Sequence, residues 1–215
     1  MTEVNRFISI EGSEGAGKST NLEILEGELM RRGLDYFSTR EPGGTAMAEE
    51  IRKLILANRD EDVAPVTELL LMFAARMQHV SQVIRPRLAS GQWVVCDRFV
   101  DASYAYQGYG RGVDLEIISQ LEHWVVGATM PGLTLYLDLA PEIGAARIAT
   151  RAKDRVENEQ AEFFAAVRQG YLARAAATAR IQVIDASGSL ADVQHSVQQK
   201  VNEYIDQQLM LGGAP

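Results

Sequence analysis

The 215-residue chain is 47% hydrophobic and 23% charged, ordinary proportions for a protein with a substantial core, and it is expected to fold as one domain over residues 1–215. Its formal net charge of -8 argues against general affinity for nucleic acid or anionic membrane, so any polyanion has to be met by a local patch of cations. A single cysteine excludes an intrachain disulfide framework, and neither a signal-peptide pattern in Met1 to Arg6 nor a membrane-length apolar run occurs, so a soluble protein in the reducing cytoplasm is expected.

Phe7 to Ile10 reads as a short buried strand that ends at Gly12-Ser13-Glu14-Gly15-Ala16-Gly17-Lys18-Ser19, a match to G-x-x-x-x-G-K-[ST]. The glycines let backbone N–H groups line a phosphate nest, Lys18 can reach the outer phosphates, and the Ser19 hydroxyl can hold Mg²⁺. The bland alternative is a glycine turn without a ligand. Leu22, Leu25 and Leu29 fall on one helical face before Gly33, a C-cap signal. This puts Lys18, Ser19 and Thr20 in the first turn of a helix whose N-terminus favours an anion.

Leu34 to Thr39 is the second expected strand and delivers Arg40, Glu41 and Pro42 at its carboxyl end, where open α/β sheets bind ligands. Met47, Ile51, Leu54 and Ile55 give a helical stripe. A long helix should start near Pro65, run through Phe73, Arg76 and Val83, kink at Pro86 and end at Gly91. Phe73 and Arg76, three residues apart, share a face; Phe73 is either core or a ligand platform. Trp93 to Cys96 is the third strand, with Cys96 an inert core thiol, and it ends in Asp97 and Arg98. An acid there can organise Mg²⁺ and an Arg can grip phosphate, with a strand-end salt bridge as the alternative.

Ser103 to Gly108 and Gly110 to Gly112 read as a polar, aromatic connection suited to a flat base or, failing that, an exposed loop. A helix over Leu115 to Trp124 and a fourth strand over Gly132 to Leu139 follow. Arg147, Arg151, Lys153 and Arg155 then place four cations in nine residues, with Arg147 and Arg151 spaced for one helix face. Such a cluster is ordinarily a solvated helix; beside a phosphate nest it reads as a mobile lid, over about residues 144–157. Phe163 to Tyr171 is helical, Arg180 to Asp185 a fifth strand, Ala186 to Ser189 a candidate adenine loop and Leu190 to Ile205 a closing helix. Residues 209–215 are expected to be a flexible tail. The three histidines sit in ordinary helical settings, and no His, Cys and acid set has metal-site spacing.

Alternating strands and helices imply an α/β fold of the P-loop NTPase type, a five-stranded parallel sheet flanked by helices on both faces with a helical lid. The guanine-reading Asn-Lys-x-Asp signature is absent, and a cationic lid with a second strand-end Arg favours a small kinase with two phosphate-bearing ligands. A kinase of an unphosphorylated deoxynucleoside and a nucleotide-dependent regulatory module are the rivals.

The sequence resembles the bacterial thymidylate kinases from Arg6 to about Ile205. The resemblance rests on Glu11 to Ser19, Thr39 to Thr45, Leu71 to Arg76, Asp97-Arg98-Phe99 with Ser103 and Ala105 to Gly108, and Asp154 to Glu157. It implies transfer of the γ-phosphate of ATP to dTMP, with Mg²⁺, in a homodimer. By the same resemblance Phe73 would stack on thymine, Arg76 and Ser103 would hydrogen-bond its edge, and Arg98 would hold the dTMP phosphate. Tyr106 would pack under the deoxyribose with Gln107 beside it, Arg40 and Pro42 would line the pocket, and Glu14 and Asp97 would place Mg²⁺ and the acceptor. Gly15 stands where eukaryotic relatives often carry Arg, so the transition-state cations would be Arg151 and Arg155, with Arg147 against adenine. The segment Arg147 to Asp154 is slightly shorter than the family's usual lid, and Phe99 replaces a more usual Tyr.

Overall fold

The computed structural model describes residues 4–149 and 154–212. Five strands, β1 (Phe7–Gly12), β2 (Tyr36–Arg40), β3 (Trp93–Asp97), β4 (Leu133–Asp138) and β5 (Ile181–Asp185), form one parallel sheet in the order β2-β3-β1-β4-β5. The five strands expected from the sequence are all present, with ends shifted by at most two residues.

The side-chain alternation of β1 builds two cores at once. Ile8 and Ile10 point to a cluster with Val95, Leu133, Leu135 and Leu137, closed by Leu25 and Leu29 of α1 (Lys18–Arg31) and Val193, Val197 and Val201 of α9 (Leu190–Leu211). Phe7, from the opposite face, joins Val94 and Cys96 under Leu69 and Phe73 of α3 (Pro65–His79), Val100 of α5 (Val100–Ser103) and Ile118 of α6 (Leu115–Val125). A third cluster beneath α8 (Ala161–Ala177) holds Tyr106, Tyr136, Phe163 and Tyr171. Helices thus cover both faces, as a parallel sheet requires. Remaining helices are α2 (Ala46–Leu56), α4 (Arg85–Ala89) and α7 (Pro141–Arg147).

The structure refines four local expectations. The long helix, expected to kink at Pro86, widens just before it, over Val80–Ile84, where the Arg85 N–H bonds to the Val80 carbonyl. Proline lacks an N–H and its ring crowds the carbonyl four residues back, and an extra residue in the preceding turn relieves that clash. The polar connection after Ser103 is a second widened helix, Tyr104–Gly110, with its first five residues buried. Small residues decide this: α8 crosses so closely that a Cβ on Gly170 would stand 2.8 Å from the Ala105 Cα, and burial between helices leaves the backbone no partner but itself. Helix α7 ends at Arg147, and the other expected lid cations Arg151 and Lys153 lie outside the described residues.

The closing helix, expected to end at Ile205, continues as α9 through Leu211. Gln208 accepts the Asn5 N–H at 2.8 Å and Tyr204 donates its hydroxyl to the Asn5 carbonyl at 2.7 Å, which ties this helix end to the chain start. Residues 213–215 lie outside the described residues.

One buried ion cluster fastens α8 and the residue preceding β5 to α5. Asp101 of α5, fully buried, accepts from Arg174 Nε at 3.0 Å and from both terminal nitrogens of Arg180 at 2.8 Å. Removing one partner strands buried charge. Asp101→Ala should therefore lower the unfolding free energy by about 3–5 kcal/mol, read from urea titrations followed by circular dichroism.

Candidate active site

Parallel register brings three strand ends together: Asp97 stands opposite both Ile10 of β1 and Arg40 of β2. The chain leaving β1 turns through Gly12, Gly15 and Gly17, all at positive φ, and enters α1 at Lys18. Gly17 caps α1 without a side-chain hydrogen bond, so the first-turn N–H groups are left to an anion. Lys18 Nζ donates to the Gly12 and Ser13 carbonyls at 3.0 and 3.2 Å. Burial first, and then the charge of Arg98, pull its pKa down to about 8.

A cavity of about 520 Å³ opens over these strand ends, within the ordinary range for ligand pockets. One side of it is formed by Glu14, Gly15, Gly17, Lys18, Ser19 and Thr20, with Arg147 above them. Arg147 donates to the Gly15 carbonyl at 3.1 Å and to the Ala186 carbonyl at 3.3 Å, which seats it between the glycine loop and the expected adenine loop. Gly12, Ser13 and Ala16 form the underside of the loop, and Ser13 and Ala16 are buried. The loop meets α7 backbone to backbone: a Cβ on Gly15 would stand 2.4 Å from the Gly144 carbonyl oxygen. No arginine fits at this position in this arrangement.

The other side of the cavity is cationic. Arg40, Arg52 and Arg98 all line it, with Pro42, Tyr106 and Gln107. Arg98 is the one non-glycine with positive φ among the described residues, at 66°, a conformation that costs about 1–2 kcal/mol and turns its side chain back over the glycine loop. It donates to the Gly12 carbonyl at 2.7 Å, pairs with Glu14, lies 3.3 Å from the Tyr171 hydroxyl, and stacks at 5.2 Å on the Tyr106 ring. Arg52 was not anticipated, because α2 reads as a simple core stripe. It donates to the Pro42 carbonyl at 2.8 Å, and burial, followed by the nearby Arg40, lowers its pKa. Arg40 itself is half-exposed and paired with Glu49 at 3.0 Å.

Three residues that the resemblance puts against thymine are brought together, but behind the cavity wall. Phe73 is packed in the core with the Arg76 guanidinium 4.6 Å from its ring centre. Arg76, also buried, donates to Glu41 at 2.7 Å, to Ser103 Oγ at 2.9 Å and to the Phe99 carbonyl at 3.2 Å. His79 completes this buried set, lying 3.1 Å from Glu41 and 2.8 Å from the Thr39 hydroxyl. Its helical setting concealed that role; the signal was a histidine three residues beyond Arg76 on one face.

Arg155 does not point at the glycine loop. Its guanidinium donates to Glu68 and, through Nε at 2.9 Å, to the Ile55 carbonyl, because Glu68 is a buried carboxylate that needs a cation. Arg151, the other expected lid cation, lies outside the described residues.

Asp97 Oδ1 is buried and accepts no hydrogen bond from a described residue, and the Ser19 side chain is on the same cavity wall. That orphaned oxygen and hydroxyl fit a Mg²⁺ that arrives with phosphates and water. No cluster of three His, Cys, Asp or Glu occurs among the described residues, and Mg²⁺ does not need a protein-only cage. Cys96 sits buried in β3, with its thiol pKa pushed up by burial and its S–H directed at the Arg98 carbonyl.

Behind Arg98 lies Glu11, the last but one residue of β1. It is fully buried, accepting the Phe99 N–H and the Tyr171 hydroxyl, each at 2.7 Å. Burial pushes its pKa up to about 7, against the opposing pull of Arg98. The folded state therefore keeps a proton that the unfolded chain gives up near 4.5, and Glu11 makes the protein lose stability as pH rises from 4.5 to 7. Glu11→Gln removes that slope. The stability difference, Glu11→Gln minus wild type, should grow more favourable to the variant across this window in urea unfolding at stepped pH.

An uncapped helix N-terminus with a loop lysine, facing a cluster of arginines across one cavity at the strand ends of a parallel sheet, marks the P-loop class of phosphotransferases. The sequence model of the family described as Thymidylate kinase matches residues 10–197. Among curated proteins, the chain is 52% identical over 202 residues to a thymidylate kinase of Teredinibacter turnerae, covering 93% of this chain and 98% of that one. It is 55% identical to one of Pseudomonas putida strain GB-1 and 56% identical to one of Ectopseudomonas mendocina, each over 193 residues, or 89% of this chain and 92% of theirs. The chain belongs to the thymidylate kinase family.

Proposed function

We infer that the protein transfers the γ-phosphate of ATP to dTMP, giving dTDP and ADP for dTTP synthesis. Membership of the family is the ground for the substrates, and the observation that carries the chemistry is the continuous cavity with the glycine loop at one side and Arg40, Arg52 and Arg98 at the other. In this reading ATP phosphates take the N–H groups of the α1 terminus and Lys18, with Thr20 beside them and Arg147 against adenine. The dTMP phosphate takes Arg98 in exchange for its resting partner Glu14. An already anionic phosphate oxygen needs no strong general base, so the protein's work is alignment and neutralisation. Mg²⁺, held with the phosphates by Ser19 and Asp97, supplies further neutralising charge when bound.

Tyr106, on the cavity wall, packs under the deoxyribose. Phe73, Arg76 and Ser103 meet thymine only if the wall shifts on binding, and Pro42 lines the sugar-phosphate side. Arg151 serves as the lid cation of this mechanism, while Arg155, held by Glu68, roots the lid. Lys18→Ala should reduce ADP release in the presence of dTMP by orders of magnitude with the fold intact by circular dichroism. A coupled assay with dTMP, dUMP, UMP, CMP and thymidine decides between readings. Highest kcat/KM for dTMP supports this one, preference for thymidine makes the protein a nucleoside kinase, and acceptor-independent hydrolysis makes it a regulatory module.

A homodimer and a cytoplasmic setting belong to the same reading. Val66, Leu70 and Met77 form an exposed apolar stripe on α3, and Ile117 and Trp124 form another on the adjoining α6, with Trp124 80% exposed. No helix among the described residues is long and apolar enough to cross a membrane. Leu70→Glu should convert a dimer to a monomer in sedimentation equilibrium.

A further inference from the structure

Glu68 lies in the first turn of α3, is 1% exposed and yet contributes to the cavity wall. Its Oε1 accepts from Gln107 Nε2 at 2.8 Å and its Oε2 from Arg155 Nη2 at 2.5 Å, with the Arg111 guanidinium 3.4 Å away. Burial alone would raise its pKa, but the hydrogen bonds from Gln107 and Arg155 and the two guanidinium charges outweigh burial and hold it below the ordinary value. An ionised carboxylate can only accept. Of the two ends of the Gln107 amide, only the NH₂ can face Glu68, so the usual ambiguity of an amide is removed by chemistry. Gln107 also lines the cavity, and its Oε1 is buried and accepts no hydrogen bond from a described residue.

We propose that Glu68 is a positioning residue that sets the hydrogen-bonding polarity of the acceptor pocket: it holds the Gln107 amide with the carbonyl oxygen as the free end, so the pocket takes a ring N–H and refuses a ring lone pair. The proposal rests on the reading of the cavity as a pyrimidine nucleotide site. Thymine and uracil carry N–H at ring position 3, whereas cytosine carries a lone pair there. A lone pair against a buried carbonyl oxygen leaves both acceptors unpaired, a penalty larger than the loss of one hydrogen bond. The same carboxylate seats the far end of the lid, since Arg155 also binds α2 through its N–H to the Leu56 carbonyl and its Nε to the Ile55 carbonyl. Base polarity and lid seating thus share one buried anion.

Glu68→Gln tests this, because an amide at position 68 can donate or accept and so lets Gln107 turn either way. Initial rates with ATP and dTMP, dUMP or dCMP give three kcat/KM values per variant. The dTMP to dCMP preference should fall about tenfold or more, through KM for the acceptors, while the dTMP to dUMP preference, which reads only the ring methyl, stays at its wild-type value. Gln107→Met should produce the same fall, and the double variant no further fall, since Glu68 acts through Gln107. An unchanged dTMP to dCMP preference, an equal loss on all three acceptors, or additive effects in the double variant overturn the proposal. If Glu68→Gln does not fold, Gln107→Met alone decides, and a wild-type preference there overturns it too. Wild-type protein inactive on dTMP refutes the proposed function instead, which separates the two failures.

Discussion

Arg98 joins the two halves of the site. Its guanidinium reaches from the end of β3 to the Gly12 carbonyl at 2.7 Å and to Glu14 in the glycine loop after the neighbouring β1, so the loop and the cationic side of the cavity are tied by one side chain. The tie requires β1 and β3 to be neighbours and Arg98 to adopt a left-handed backbone, and both conditions are met. Glu11 and Tyr171 stand behind it: Glu11 bonds the Phe99 N–H just past Arg98, and Tyr171 bonds Glu11 while lying within 3.3 Å of the guanidinium. A strained residue persists only where its surroundings over-determine it, and here a buried carboxylate, a tyrosine and a loop carbonyl do so.

This arrangement leaves charge to be completed by ligands. Lys18 folds onto its own loop carbonyls, Arg52 is partly buried beside Arg40, and one Asp97 oxygen accepts no hydrogen bond from a described residue. Each is a cost in the ligand-free protein that an incoming phosphate or a hydrated cation offsets. The chain as a whole is acidic, and against that background Arg40, Arg52 and Arg98 concentrate positive charge on one side of the cavity.

Much of this was legible in the chain. The glycine loop, the strands and the identity of Arg98 and Asp97 follow from local rules, because the backbone conformation of a phosphate nest and the two-residue alternation of a buried strand leave marks on nearby residues. Less legible were the widened helices around Val80–Ile84 and Tyr104–Gly110, where tertiary packing overrides propensity. Two buried partners of arginines were hidden for a related reason: Glu41 for Arg76 and Glu68 for Arg155 are 35 and 87 residues from the side chains they bind, whereas His79 was marked by its three-residue spacing from Arg76.

The sequence alone therefore determined the class of chemistry, a loop that binds phosphate at the end of a buried strand, because that depends on contiguous residue types with fixed backbone needs. Tertiary structure alone decided which cations are available and which are engaged. Arg155, read along the chain as a lid cation, is committed to Glu68, whereas Arg52, hidden in a core stripe, faces the cavity. A charge acts through the nearest opposite charge in space, and chain position does not reveal it.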